Sequence, residues 1–117
     1  MGARGESEAA RFLENKGYRI LARNYKTRMG EIDLVARDKD IVCFIEVKTR
    51  SSASFSLPQE AVTVHKQRRI ARSALMYLKE NNLLDEKARF DVVSVICDNS
   101  AVPRIELIKG AFEVADI

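Results

Sequence analysis

Residues 30–50 read GEIDLVARDKDIVCFIEVKTR. Two runs rich in Ile, Val, Leu and Phe flank Arg37-Asp38-Lys39-Asp40, and apolar runs separated by a short polar turn form a β-hairpin. With Lys39-Asp40 as a two-residue loop, Asp38 stands opposite Ile41. That register places Val35 opposite Phe44, Asp33 opposite Glu46 and Glu31 opposite Lys48. Side chains alternate along a strand, so these six share one face, and Ile32, Leu34, Ile45 and Val47 share the other. The second face is apolar throughout and suited to packing on a helix. The first is apolar beside the turn and charged at the far end.

Asp33 opposite Glu46 is a like-charge cross-strand pair, which costs stability when nothing compensates it. Two carboxylates held this close share either a proton or a cation. A hard cation such as Mg²⁺ (or Mn²⁺) is typically held by one or two carboxylates and keeps several waters. Lys48, two residues beyond Glu46 on the same face, would meet a phosphate or a water on that metal. The pattern suggests metal-dependent phosphodiester cleavage. Plainer readings compete with it. Glu-x-Lys recurs as Glu14-Asn15-Lys16 in a segment that reads as helix, where residues two apart do not face each other. Strand charges also blunt exposed sheet edges. The apolar neighbours favour a site, because an edge-blunting device does not need two carboxylates facing one another.

Working outward, the chain has 117 residues, 46% hydrophobic and 32% charged, with a net charge of +3. This fits one domain, 1–117, long enough for a core. The small net charge permits a polyanionic partner without demanding one. Lys66, Arg68, Arg69 and Arg72 crowd one segment, either a phosphate-facing patch or a solvated helix face. Cys43 and Cys97 sit in apolar runs without a CxxC pattern, and read as free thiols in a reducing cytoplasm. His65 is the sole histidine and reads as a surface helix residue, so a zinc site has almost no material. The charged N-terminus has no apolar secretion signal. No apolar run approaches the roughly 20 residues that span a bilayer. A soluble cytoplasmic protein that does not engage membranes is expected.

Periodicity predicts a helix over Glu6–Lys16, with Ala9, Phe12, Leu13 and Lys16 on one face and Gly17 as its stop. A strand is expected over Tyr18–Tyr25, then the hairpin strands at 30–37 and 41–49. Ser-rich residues 51–57, followed by Pro58, read as a mobile loop. A second helix runs from about Gln59 to Asn81, carrying Ala71, Ala74, Leu75 and Leu78 at helical spacing. Strands follow over Arg89–Cys97 and Pro103–Ile108. The order α-β-β-β-α-β-β predicts an α/β fold, a mixed sheet flanked by helices.

Taken together, GEIDLVA, FIEVKTR, the spacing of Gly5, Glu6, Ala9 and Leu13, VTVHKQRR and RFDVV resemble the bacterial UPF0102 (YraN-like) family from Gly5 to Val93. The helix Glu, the strand Asp33 and the Glu46-Val47-Lys48 run resemble the restriction-endonuclease-like PD-(D/E)xK nuclease fold. The family is considered a distant relative of archaeal Holliday junction resolvases. The resemblance implies a Mg²⁺-dependent, nuclease-type hydrolase acting on DNA, branched or duplex, with RNA not excluded and with a homodimer expected by analogy. A non-cleaving nucleic-acid-binding module that keeps the fold is the rival reading. Asp33 and Glu46 would bind the metal with the Val47 backbone carbonyl. Lys48 would position water or stabilise charge on the phosphate. Glu6 would be the helix carboxylate, with Glu8 as competitor, and an acidic residue favourably placed in a helix's first turn as the plain alternative.

Gln67 extends the helical stripe toward one end of the second helix, where it would hydrogen-bond a metal-bound water or Lys48, or simply close the helix end. Lys66, Arg69 and Ser73 share a side and are the expected phosphate contacts, joined by Arg50. Asp91 matches the family pattern without a chemical role, and an ion pair with Arg89 or with a nearby helix base is expected. Family members often carry Gly where this chain has Ser56. Phe55 and Tyr77 are the aromatic residues expected to be exposed, too few for a base-stacking surface.

Overall fold

The computed structural model describes residues 3–51, 62–97 and 102–114, without the side chains of residues 3 and 4. Its elements are α1 (Ala3–Asn15), β1 (Arg19–Thr27), β2 (Gly30–Asp38), β3 (Ile41–Ser51), α2 (Val64–Glu80), β4 (Lys87–Cys97) and β5 (Arg104–Phe112). This is the expected order. The strands form one sheet in the order β1-β2-β3-β4-β5. Only β3 and β4 pair in parallel, joined through α2, and the other neighbours are antiparallel. The sheet is therefore mixed, as the nuclease-like resemblance implies.

Each helix covers one face. Ala9, Ala10 and Leu13 of α1 pack on Leu34, Ala36, Cys43, Ile45, Val47, Val93 and Val95. On the other face Ile70, Ala74 and Tyr77 of α2 meet Val35, Val42, Phe44 and Val92. Successive residues of β2 and β3 thus feed two cores, which is why both strands read as nearly continuous apolar runs. No helix among the described residues is long and apolar enough to cross a membrane.

Local chemistry sets the helix ends. After α1, Tyr18 N–H bonds the Leu13 carbonyl and Gly17 N–H bonds that of Glu14, each at 3.0 Å. With Gly17 at φ 94° this is a Schellman closure, which needs a left-handed residue and is best served by glycine. Helix α2 begins at Val64 behind the cap Thr63, whose side chain accepts from Lys66 N–H. Its expected start at Gln59 and the loop at 52–57, with Phe55, Ser56 and Pro58, lie outside the described residues; Ser51 itself ends β3.

The hairpin register holds from Asp38–Ile41 to Leu34–Ile45. Lys39 carries the positive φ, 57°, of a tight two-residue loop. Beyond Leu34 the ladder stops, and the Val47 N–H donates to Asp33 Oδ2 at 2.8 Å. Neither Asp33 with Glu46 nor Glu31 with Lys48, both expected to stand opposite each other, is consequently a ladder pair. On the other side of β2, pairing skips from Arg23–Leu34 to Tyr25–Ile32. Asn24, which would face Asp33, has φ 50°. Alternation shifts across this point in both strands. Ile32, expected on Leu34's face, instead joins Val35 on the α2 side, and Tyr25 lies there with Ala22. A side-chain carboxylate competing for a ladder N–H is the physical cause.

In α2 the buried stripe is Ile70, Ala71, Ser73, Ala74 and Tyr77. Leu75, expected on it, is 37% exposed, and Tyr77, expected outside, is only 8% exposed. Tyr77 makes edge contacts with Tyr25 and Phe44, at 5.2 and 6.0 Å between ring centroids. The broad aromatic face is worth more to the core than Leu75 at the stripe's margin.

Candidate metal and phosphate site

Where the ladder ends, the strands part and an open cavity of about 610 Å³ forms between them, the start of α1 and the first turns of α2. Asp33, Glu46, Val47, Lys48, Glu6, Lys66 and Arg69 line it, together with Gly30, Glu31, His65 and Ile70. Four separate elements therefore supply the polar groups expected to act together.

Asp33 and Glu46 form its floor. The Asp33 N–H points at Glu46 Oε2 over 3.4 Å, while the Asp33 carboxylate holds Val47 N–H. Each carboxylate is thus tied to the other's strand. Glu46 is 3% exposed. Burial, and then the neighbouring Asp33 charge, push its carboxyl up to about 7. Asp33 is also raised, by burial, against the opposing pull of Val47 N–H and Lys48. Two carboxylates side by side, one buried and one half-buried, repel each other when ionised, and a cation between them would relieve that.

Cations stand on one side of the pair. Lys66 Nζ approaches Glu46 Oε1 to 3.7 Å. Lys48 is held below the usual lysine range by burial and then by the adjacent Lys66 ammonium. Perturbed groups gathered in a cleft make this the candidate functional site. Among the described residues no group of three or more His, Cys, Asp and Glu side chains could hold a metal. The paired donors are the Asp33 and Glu46 carboxylates, with a backbone carbonyl as the resemblance implies, and Glu6 and Glu31 line the same cavity. An oxygen-only set with two carboxylates fits Mg²⁺ or Mn²⁺, which keep waters, and does not fit zinc.

The other expected residues are placed as follows. Glu6 lines the cavity and Glu8 is not among its lining residues. Gln67 also lies outside that lining, its amide donating to the Val62 carbonyl at 2.9 Å. Arg69 lines the cavity, but its Nε donates to the Met29 carbonyl at 2.8 Å, tying α2 to the β1–β2 turn. Ser73 is fully buried and shares a 2.8 Å hydrogen bond with Thr27 Oγ1, so it braces that turn instead of facing a ligand. A Cβ added at Gly30 would meet the Arg69 side chain at 3.7 Å, an ordinary contact, but φ 150° is a conformation that disfavours any side chain. Arg50 lies 3.8 Å from Glu106 on β5, away from the cavity lining.

Asp91 belongs to a second polar cluster. It is fully buried, takes two hydrogen bonds from Arg89 at 2.8 and 3.0 Å, and accepts Gly110 N–H at 3.0 Å. Arg89 also reaches Asp38 and the Tyr18 hydroxyl. The expected ion pair is present, and it knots β2, β4 and β5 together. Lys66, expected as a phosphate contact, pairs with Glu46, a partner not expected from the sequence pattern. The available signal was its place three residues after a Thr that can cap a helix, which puts it in the first turn.

The profile of the uncharacterised protein family UPF0102 matches residues 5–95. A UPF0102 protein of Syntrophus aciditrophicus is 52% identical over 114 residues, covering 97% of this chain and 89% of that relative. One of Geobacter sulfurreducens is 49% identical over 115 residues, covering 98% and 90%. One of Acetivibrio thermocellus is 47% identical over 116 residues, covering 95% and 89%. With the family match over residues 5–95 and near-complete coverage of these relatives in agreement, this chain belongs to the UPF0102 family.

Proposed function

We propose that the protein is a divalent-metal-dependent endonuclease that hydrolyses DNA phosphodiester bonds, with branched or junction DNA as the favoured substrate. The observation that carries this reading is the buried Glu46 carboxylate beside half-buried Asp33, with Lys48 and Lys66 lining the same open cavity. Asp33, Glu46 and the Val47 carbonyl would hold Mg²⁺ or Mn²⁺. When bound, such an ion supplies Lewis acidity toward the phosphate and toward water. The chain's own groups do the rest. Lys48 offers its ammonium to the charge that grows on the phosphate as water attacks in line. The P–O3′ bond breaks opposite the incoming oxygen, leaving a 5′-phosphate and a 3′-hydroxyl that takes up the proton released by the water. Lys66 and Arg69, at the cavity wall, meet flanking phosphates, and Glu6 faces the same space from α1.

By analogy with junction resolvases, two sites in a homodimer would cut two strands. The setting is the cytoplasm, where Cys43 and Cys97 stay reduced. The test is cleavage of a labelled four-way junction, duplex DNA, single-stranded DNA and RNA with Mg²⁺ or Mn²⁺. Asp33→Ala and Glu46→Ala are run alongside. Cutting that disappears in both variants and with EDTA supports the reading. Binding without any cutting would sink it and leave a non-cleaving nucleic-acid-binding module.

A further inference from the structure

Glu46 and Lys66 form an ion pair between unequal partners. The carboxylate is 3% exposed and pinned in β3, while the lysine side chain is 41% exposed, on the first turn of α2. Any cation entering between Asp33 and Glu46 meets the Lys66 ammonium already 3.7 Å from Glu46 Oε1. Lys48 stands on the same side, half-buried. A dication held by Glu46 and the Lys66 ammonium 3.7 Å from its Oε1 compete for one buried carboxylate, with Lys48 close by, in a partly desolvated space where like charges repel strongly. One cation must yield. Lys48 is constrained by its strand, and Arg69 is tethered to the Met29 carbonyl. Lys66 has the solvent exposure and the long flexible stem to swing outward.

We infer that Lys66 is a gate on the metal site: it neutralises Glu46 until a phosphate at the cavity mouth draws its ammonium away, so that metal and nucleic acid bind cooperatively through this one side chain. This rests on the metal-site reading above and adds its regulation. Thr63 caps α2 through Lys66 N–H, so the backbone stays fixed while the side chain exchanges one anion for another. Gln67, its neighbour, cannot substitute, because its amide is committed to the Val62 carbonyl. Reciprocity follows: whatever factor nucleic acid adds to metal affinity, metal adds to nucleic-acid affinity.

The test is Mn²⁺ titration by calorimetry on the full chain at one pH and salt concentration. It compares wild type, Lys66→Met, Lys66→Arg and Asp33→Asn, with and without a saturating phosphorothioate duplex. Lys66→Met should bind Mn²⁺ about three- to tenfold more tightly than wild type without DNA. Its further gain on adding DNA should shrink by a similar factor. Lys66→Arg, which keeps the charge and reach, should behave as wild type. If Lys66→Met binds Mn²⁺ with wild-type or weaker affinity while Asp33→Asn loses it, the gate is refuted and the metal site stands. If wild type binds no Mn²⁺, or Asp33→Asn binds it equally well, the endonuclease reading falls as well.

Discussion

Consider Glu46→Gln in buffer containing EDTA. The substitution keeps the side chain's shape, so it opens no cavity, and it removes a charge from a position that is 3% exposed. In the folded chain the Glu46 carboxyl is pushed up to about 7 from an ordinary value of 4.5, chiefly by burial and then by Asp33. Below pH 4.5 the carboxyl is protonated in folded and unfolded chains alike, and its burial costs nothing extra. Between 4.5 and about 7 the unfolded chain ionises while the folded chain keeps its proton, so stability is progressively lost as pH rises. Above 7 the loss is complete. It amounts to about 3 kcal/mol, from roughly 1.4 kcal/mol for each pH unit separating the two values. Gln has no such loss. Urea unfolding at pH 4.5, 6, 7 and 8 should therefore show the variant nearly equal to wild type in acid. At pH 8 it should be more stable by about 2–3 kcal/mol, after allowing for the lost pairing with Lys66. A gap that does not change with pH, or a variant weaker than wild type at pH 8, would refute the claim that an ionised Glu46 strains the metal-free site.

The remaining predictions concern the frame around it. Arg89→Ala leaves Asp91 fully buried with its charge unpaired and should cost about 3–5 kcal/mol by thermal or urea unfolding; a loss under 1 kcal/mol would mean that the cluster is not held as described. Ser73→Ala removes the buried bond to Thr27 and should cost about 1–2 kcal/mol, with faster amide exchange at Met29, whose N–H is held by the same Thr27 hydroxyl. Cys97 is exposed, whereas Cys43 is buried with its thiol pushed up to about 12. One maleimide should therefore couple per native chain and two per denatured chain. Equal labelling rates in the native protein would contradict the packing of β3.

How far these features were legible follows from the distance over which they are decided. The hairpin register was readable because a two-residue loop fixes the partner of each nearby residue, and the pairing does run from Asp38–Ile41 to Leu34–Ile45. The end of α1 was readable because Gly17 is a local requirement of the chain reversal. The pairing of Arg89 with Asp91 was readable too, since residues two apart on a strand share a face. Its extension to Gly110 and Asp38 was not, because those partners arrive from other strands.

Ile32 shows where local rules fail. Alternation assigns it to Leu34's face, but the Asp33 carboxylate captures Val47 N–H and the strand turns it over. In α2, helical spacing leaves the choice between Leu75 and Tyr77 open. The position of Phe44 and Tyr25 beneath the helix decides it. The same docking carries Ser73 inward to Thr27 and Lys66 to Glu46. By itself the sequence determined the elements, their order, the hairpin register beside its turn and the nearness of the Asp33 and Glu46 carboxylates, all properties of neighbours along the chain or across one tight turn. Which cations meet those carboxylates was decided only by tertiary structure, because α2 is delivered to β3 by a crossover between parallel strands, and the rotation of a helix on a sheet is set by the packing of its whole buried face.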